Sequence, residues 1–520
     1  MLINKLILLL VTFEVIGCCS AYRILGIYSL PIKSHFIMIN QLFKGLIEKG
    51  HNVDLINTFP LNENNTSYKQ IMTLPDHSVL TSKTLRIDEF VVNFNSNYSL
   101  MGLLGNAICK NIGHPELLKL AENPPKDPPY DIIILHMMNY HCYMILAHRW
   151  NIPVVLVSTT AMYPWMHDMI GNPENIAFSP NNMKTVPEGN GFWARLVNAY
   201  IFYRLKFSYL HQTQYQSDLL KKYYGPDAPN IRELEQSVSL VLMNTYFPIN
   251  GVKPLTTGVV EVGGLHIKND GLELDVDLKK WLDDSKDGVV YFSLGSMFRI
   301  ETFPDHVLDI ILESLRKLTP VKVLMRIAKL EELTKKLPSN IHTLPWIPQE
   351  KVLNHPNVKA FITHGGLLGT QEAVFYGVPM ICIPLLADQW TNAQNYVRLK
   401  VATVVDFRYM TQKEFDQAID NILKTREYGE NVKRLSKLFR DRPQSPLSTA
   451  IYWIEYVIRN GKNSLRSPAM DLKWWQISLL DIFFVTIIMP LVIFALFIIF
   501  FIRFIKRLIS FKRSESKKRR

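Results

Sequence analysis

Residues Trp346 to Gln394 read WIPQEKVLNHPNVKAFITHGGLLGTQEAVFYGVPMICIPLLADQWTNAQ. Val358 to Thr363 is a short apolar run with β-branched residues, fit for a buried parallel strand. His364-Gly365-Gly366 follows at once. A helix is predicted from about Leu368, closing at Gly377 ahead of Val378-Pro379. Met380 to Ile383 is the next strand, ended by Pro384. In an open α/β sheet, ligands sit at the carboxyl ends of such strands. His364, Glu372, Asp388 and Gln389 fall there or on the helix facing it. A glycine turn feeding a helix N-terminus also suits a phosphate, because free N–H groups point out of it.

Working outward, strand–helix alternation runs through both halves. Val289 to Ser293 is a strand ending in Leu294-Gly295-Ser296, a small-residue turn that lets a backbone approach a phosphate. In the first half, Arg23 to Tyr28 is a strand. A helix follows from about His35 to Lys49, with Phe36, Ile39, Phe43, Leu46 and Ile47 on one face and Gly50 closing it. Val53 to Ile56, Tyr130 to Leu135, Ile152 to Ser158 and Val238 to Met243 are further strands. Pro164 to Arg195 loses periodicity and reads as long loops and short helices around a ligand, and the apolar and aromatic loops Met137 to Tyr143 and Met162 to Met169 would suit a lipophilic one. Asn244 to about Gly264, with its prolines and glycines, reads as a linker. The expectation is two doubly wound Rossmann-like α/β domains, at about 22–250 and 251–440, with a cleft between them.

Of 520 residues, 48% are apolar and 20% charged, which suits a large buried core and no long disordered tract. The net charge of +12 is concentrated at one end: 503–520 holds nine basic residues and one acid, Glu515. The rest is near balance, which argues against a nucleic-acid partner. Residues 1–21 read as a secretory signal peptide. Ile482 to Ile502 carries no charge and is long enough to span a bilayer. The expected span is 479–503, after a 441–478 connector. The basic 504–520 tail is placed in the cytoplasm by the positive-inside rule, which makes a type I membrane protein. Asn64, Asn65 and Asn97 stand in glycosylation sequons. With Cys18 and Cys19 in the removed segment, Cys109, Cys142 and Cys382 are too few for a disulfide framework and are expected buried and inert; no metal-ligand spacing occurs. Asp275-Val-Asp277 reads as a solvated turn before a helix. The sequence leaves a homo-oligomer open.

The pattern W-x-P-Q, H-P, T-H-G-G, E-A, G-V-P, P and D-Q, in one order over about fifty residues, closely resembles the donor-binding signature of UDP-glycosyltransferases. That group includes the microsomal UDP-glucuronosyltransferases. The resemblance implies the two-domain GT-B fold, a UDP-sugar co-substrate (UDP-glucuronic acid or UDP-glucose), a small lipophilic acceptor, no further cofactor and no metal. It also implies that the 446–461 helix crosses back onto the first domain. Lys517 and Lys518 resemble a dilysine signal for the endoplasmic reticulum.

Carried onto matching positions, the resemblance gives each residue a role. Trp346 would stack the uracil, Gln349 would bond the base edge or ribose, and Glu372 would accept the ribose hydroxyls. His364 and the amides near Gly365, Gly366 and Gly369 would meet the phosphates, helped by Ser293, Gly295 and Ser296. Asp388 and Gln389 would hold the sugar. Leu368 stands where vertebrate members often carry Asn. His35, at a helix N-terminus, would be the general base, its imidazolium disfavoured by the helix dipole. The family's orienting aspartate maps to His136, a departure. Asp131 cannot substitute, five residues along a strand being roughly 16 Å. A carboxylate arriving from elsewhere, a slow enzyme and a catalytically silent lipophile-binding protein on the same fold are the readings this leaves.

Overall fold

The computed structural model describes residues 21–61, 66–75, 87, 97–179, 181, 183, 189, 191–268 and 273–518. The predicted signal peptide and the sequons at Asn64 and Asn65 lie outside these residues, and Asn97 opens a helix, Asn97–Cys109. The chain divides into two compact units, Met1–Arg466 and Ser467–Arg520.

The first unit contains two parallel sheets, built from the Val- and Ile-rich runs that suit strands covered on both faces. One has seven strands: β1 (Arg23–Tyr28), β2 (Asn52–Asn57), β3 (Tyr68–Thr73), β4 (Ile132–His136), β5 (Val154–Ser158), β6 (Val238–Met243) and β7 (Val259–Glu261), in the order β3-β2-β1-β4-β5-β6-β7. The other has six: β8 (Val289–Ser293), β9 (Lys322–Arg326), β10 (Ile341–Leu344), β11 (Val358–Thr363), β12 (Met380–Cys382) and β13 (Ala402–Val404), in the order β10-β9-β8-β11-β12-β13. Each is a doubly wound Rossmann order whose direction reverses once, between β1 and β4 and between β8 and β11. This is the expected pair of Rossmann-like domains, the GT-B architecture. The segment read as a linker contributes more than a connection, since β7 lies within it and pairs with β6.

The helix Lys33–Glu48 follows β1 and buries Phe36, Ile39, Phe43 and Leu46. Helix Pro446–Asn460 packs on it: a Cβ at Gly45 would stand 2.7 Å from Leu447 Cδ1, and His51 Nε2 lies 3.1 Å from Glu455 Oε1. The expected return of the chain to the first sheet is therefore present. Asp275 caps helix Val276–Asp283 by accepting from the amides of Asp277 and Leu278, which accounts for the Asp-x-Asp sequence. A 21-residue helix, Phe192–Gln212, begins inside the region read as long loops and short helices; its mixture of aromatic and basic residues hides the helical period.

One expectation fails. Cys109 and Cys142 form a disulfide, tying the end of helix Asn97–Cys109 to the loop that follows β4. Counting cysteines could not reveal a pair that only the fold brings together. Cys382 is free and buried, and burial pushes its thiol up to about 12.

In the second unit a 31-residue helix, Leu480–Ser510, is long and apolar enough to cross a membrane. Helical structure continues past the uncharged run through Arg503, Lys506 and Arg507 to Lys518.

Replacing Cys109 and Cys142 together by serine opens a loop of 33 residues. Loop-closure entropy puts the loss at roughly 3–4 kcal/mol. A thermal melt of the full chain in detergent is expected to show a midpoint several degrees lower.

Candidate active site

Ser293 and Thr363 end β8 and β11 side by side, in register. Both hydroxyls turn back on the chain: Ser293 Oγ accepts from the Gly295 amide at 3.3 Å, and Thr363 Oγ1 from the Gly365 amide at 3.4 Å. These glycines have φ of +73° and +81°, a region that costs a residue with a Cβ. His364 fills the space between the two turns. A Cβ at Gly295 would lie 2.7 Å from its Cε1, and one at Gly366 would lie 2.4 Å from its Nε2. Burial holds the ring's pKa at about 4, so it is neutral at pH 7. Helix Leu367–Tyr376 begins after Gly366 with no side-chain cap. Its first amides are therefore available to an anion.

Gln349 is committed at both ends of its amide: Nε2 donates to Glu372 Oε2 at 2.7 Å, and Oε1 accepts from Tyr291 Oη at 3.1 Å. The other Glu372 oxygen lies 3.3 Å from His266 Nε2. The carboxylate is thus fixed from two sides. Gly369 makes room for this network, since a Cβ there would come within 2.9 Å of Gln349 Nε2. Trp346 is 49% exposed. Lys33 Nζ lies 4.2 Å and the Arg326 guanidinium 5.6 Å from its ring centroid. Gln389 Oε1 accepts from the amides of Leu385 and Leu386. Asp388 accepts from Asn392 at 2.9 Å, and burial raises its pKa. Ala387 between them has φ +52°, local strain of the kind that collects at functional sites.

His35 lies in the first turn of its helix but does not cap it; the N-cap is Ile32, without a side-chain cap bond. Its Nδ1 is 2.7 Å from Thr159 Oγ1. Burial alone lowers its pKa to about 4, so the free base is favoured as expected, by desolvation rather than by the helix dipole. His136, the last residue of β4, is 1% exposed, and its Nε2 is 3.1 Å from the same Thr159 oxygen. Among the described residues no carboxylate hydrogen-bonds either imidazole. Asp131 accepts instead from the Arg23 amide.

A cavity of about 390 Å³ runs between the two halves, lined by His35 and by eleven of the twelve positions expected to bind the donor; Gly365 and His136 are not in its wall. Tyr291, Arg326, Lys268 and Glu350 also line it. No family motif was read at these positions, so sequence reasoning missed them. Burial, then the Glu372 charge, raises Glu350 to about 7. Ile32, Ile37, Leu104, Met138 and Tyr163 supply an apolar side. Most of the flanking loops expected to receive an acceptor, including Met137, Cys142, Met162 and Met166, pack inward as core instead.

Comparison with known proteins fits this geometry. Residues 33–517 match the family model described as "UDP-glucoronosyl and UDP-glucosyl transferase". The chain belongs to the UDP-glycosyltransferase family. It is 31% identical to UDP-glucosyltransferase 2 of Dactylopius coccus over 92% of each chain. It is 28% identical to human UDP-glucuronosyltransferase 2B15, over 86% of this chain and 87% of that one. Among solved structures, the glycosyltransferase of kitacinnamycin shares the fold with a TM-score of 0.60 and 18% identity, covering 84% of this chain and 100% of that one. The protein is thus a glycosyltransferase, and its family supports a UDP-sugar donor.

In this UDP-glycosyltransferase, Gly366→Ala is expected to push the His364 ring out of its place. The KM for UDP-sugar should rise about tenfold or more, equivalent to roughly 1.4 kcal/mol, with the thermal midpoint nearly unchanged. Steady-state kinetics at saturating acceptor, beside a thermal melt, measure both.

Proposed function

We propose that this enzyme moves a glucosyl group from UDP-glucose to a hydroxyl of a small lipophilic acceptor, with inversion, and that His35 is the general base. The acceptor oxygen bonds to the anomeric carbon while its proton passes to His35 Nε2. The bond from that carbon to the diphosphate oxygen breaks, and its electron pair leaves on UDP. Attack from the face opposite the leaving group inverts the carbon. The first amides of helix Leu367–Tyr376 and the neutral His364 meet the charge growing on the diphosphate, with no reorganisation needed at that moment. Trp346 offers the uracil a flat face, Glu372 accepts from the ribose hydroxyls, and Asp388 and Gln389 hold the hexose.

The observation that carries this reading is the single cavity with His35 on one wall and the donor set on the other. Preference for glucose over glucuronic acid is supported by a relative at 31% identity, UDP-glucosyltransferase 2 of Dactylopius coccus. UDP-glucuronic acid is the competing donor, since human glucuronosyltransferases also match over most of the chain. The apolar wall of Ile32, Ile37, Leu104 and Met138 supports a lipophilic acceptor. The apolar helix Leu480–Ser510, the basic residues after it, the predicted signal peptide and Lys517-Lys518 support an endoplasmic reticulum protein of type I topology. Its catalytic domains, with the Asn64, Asn65 and Asn97 sequons, then face the lumen.

His35→Ala is expected to lower kcat by roughly 10²–10⁴-fold while leaving the KM for UDP-sugar within about twofold. UDP release with a panel of phenols and steroids, run with each donor in competition, measures rate and sugar preference together. A wild-type chain that binds the acceptors yet releases no UDP would instead favour the silent lipophile-binding reading, which the missing carboxylate beside His35 motivates.

The active form of His35 is neutral and its pKa is held at about 4. The kcat/KM for acceptor should therefore stay level from pH 8 to pH 6 and fall only as the pH drops towards 4. A fall centred near 6.5 would contradict a buried base.

A further inference from the structure

We propose that a hydroxyl-bridged pair of imidazoles, His35–Thr159–His136, orients the base in this enzyme in place of a carboxylate, with Thr159 and His136 as positioning residues. This rests on the reading of His35 as the general base.

The geometry is a continuous chain of short contacts. Thr159 Oγ1 is 2.7 Å from His35 Nδ1 and 3.1 Å from His136 Nε2. His136 Nδ1 is in turn hydrogen-bonded to the Tyr140 hydroxyl. Thr159, His136 and Tyr140 are each no more than 3% exposed, so water does not compete for these bonds. Thr159 is itself held, because its carbonyl accepts from Asn244 Nδ2 at 2.8 Å. The buried acid Glu235 is used elsewhere: it contacts His141 at 2.8 Å and Arg232 at 2.7 Å, and accepts from Tyr209.

The proton count gives the chain a direction. A base must present the lone pair of His35 Nε2 to the cleft, so its one proton sits on Nδ1 and is donated to Thr159 Oγ1. The Thr159 hydroxyl has a single proton, and it then goes to His136 Nε2. The proton of His136 is left on Nδ1, where the Tyr140 oxygen accepts it. Run the other way, the same chain puts a proton on His35 Nε2 and silences the base. In the first direction Thr159 holds His35 in the tautomer a base needs, which is the part of a triad carboxylate's role whose loss is severe when the wrong tautomer results. It supplies no negative charge, so charge balance is the part it leaves out.

The test uses the full-length chain in microsomal membranes, with UDP release measured at saturating UDP-glucose and one phenolic acceptor. Thr159→Val keeps the shape and removes the hydroxyl. Its kcat is expected to fall on the order of 10²-fold, with the UDP-glucose KM and the thermal midpoint nearly unchanged. Thr159→Ser is expected to recover the rate to within about fivefold. Tyr140→Phe should lower kcat, having removed the acceptor for His136 Nδ1–H. A Thr159→Val enzyme within threefold of wild type, beside an inactive His35→Ala, would sink the bridge and leave the base standing. Failure of Thr159→Ser to recover the rate would make Thr159 a packing residue and overturn the idea. A Tyr140→Phe enzyme faster than wild type would show the chain running in the opposite direction, which also overturns it. An active His35→Ala enzyme would bring down the base and the bridge together.

Discussion

One buried amide joins the parts of this molecule that have to act together. Gln371 Nε2 donates to the carbonyl of Asn244 at 3.1 Å, and its Oε1 accepts from the Gly264 amide at 3.0 Å. Asn244 follows β6 and Gly264 follows β7 at the end of the first sheet, and Gln371 sits on the helix whose N-terminus faces the cleft. The next residue is Glu372, and Asn244 in turn holds the Thr159 carbonyl. A shift of the Leu367–Tyr376 helix is therefore felt two hydrogen bonds later at the residue bonded to His35. The site spans two sheets, and Gln371, at 0% exposure, is a fully buried polar tie between them. Polar groups buried this deeply define a geometry because leaving one unpaired costs so much.

The second physical theme is that the cleft works with neutral imidazoles. His35 and His364 are both held near 4 by burial, and His136 is held well below its ordinary value by burial, and further by His35 and His141. Three carboxylates, Glu350, Glu372 and Asp388, line the cavity, and two of them, Glu350 and Asp388, are raised by burial. A diphosphate entering such a site meets amides and uncharged donors in a desolvated setting, where oriented dipoles act strongly. Arg326, whose guanidinium donates to the Gly295 carbonyl at 2.6 Å, ties a cation to the turn proposed to face the phosphates.

Much of this was legible in the sequence because the donor wall is local. From Trp346 to Gln394 the chain passes once through a loop, a strand, a glycine turn, a helix and a second strand, so spacing in sequence translates directly into placement. The strands β6, β8 and β11 fall where the apolar runs begin and end. What stayed hidden depends on groups that meet only in the fold. Cys109 and Cys142 lie 33 residues apart, and nothing near either names the other. Thr159 follows β5 in an unremarkable Ser-Thr-Thr run and matters only because β4 and β5 are neighbours. Tyr291 and Arg326 face the cleft from strands whose patterns report burial alone. The linker was misjudged for a related reason: three residues, Val259–Glu261, suffice for an edge strand, too few to show a period.

The absent carboxylate then has a structural explanation beyond simple loss. An aspartate at the end of β4 would reach a shorter distance than the imidazole of His136, and it would carry a charge into a pocket closed by Tyr28, Tyr140 and Tyr143, all almost fully buried. Those three phenols hold their protons, each raised by burial, so none of them brings a positive charge to offset the desolvation an anion would suffer. The ring of His136 packs against Tyr28 and Tyr140 at centroid distances of 5.2 and 5.8 Å, filling that space while keeping both nitrogens bonded. An aromatic wall and a neutral orienting group are consistent with each other, and a carboxylate fits neither. The change at residue 136 is therefore part of how this pocket is packed: the loss of the anion and the gain of the aromatic contacts belong to one arrangement.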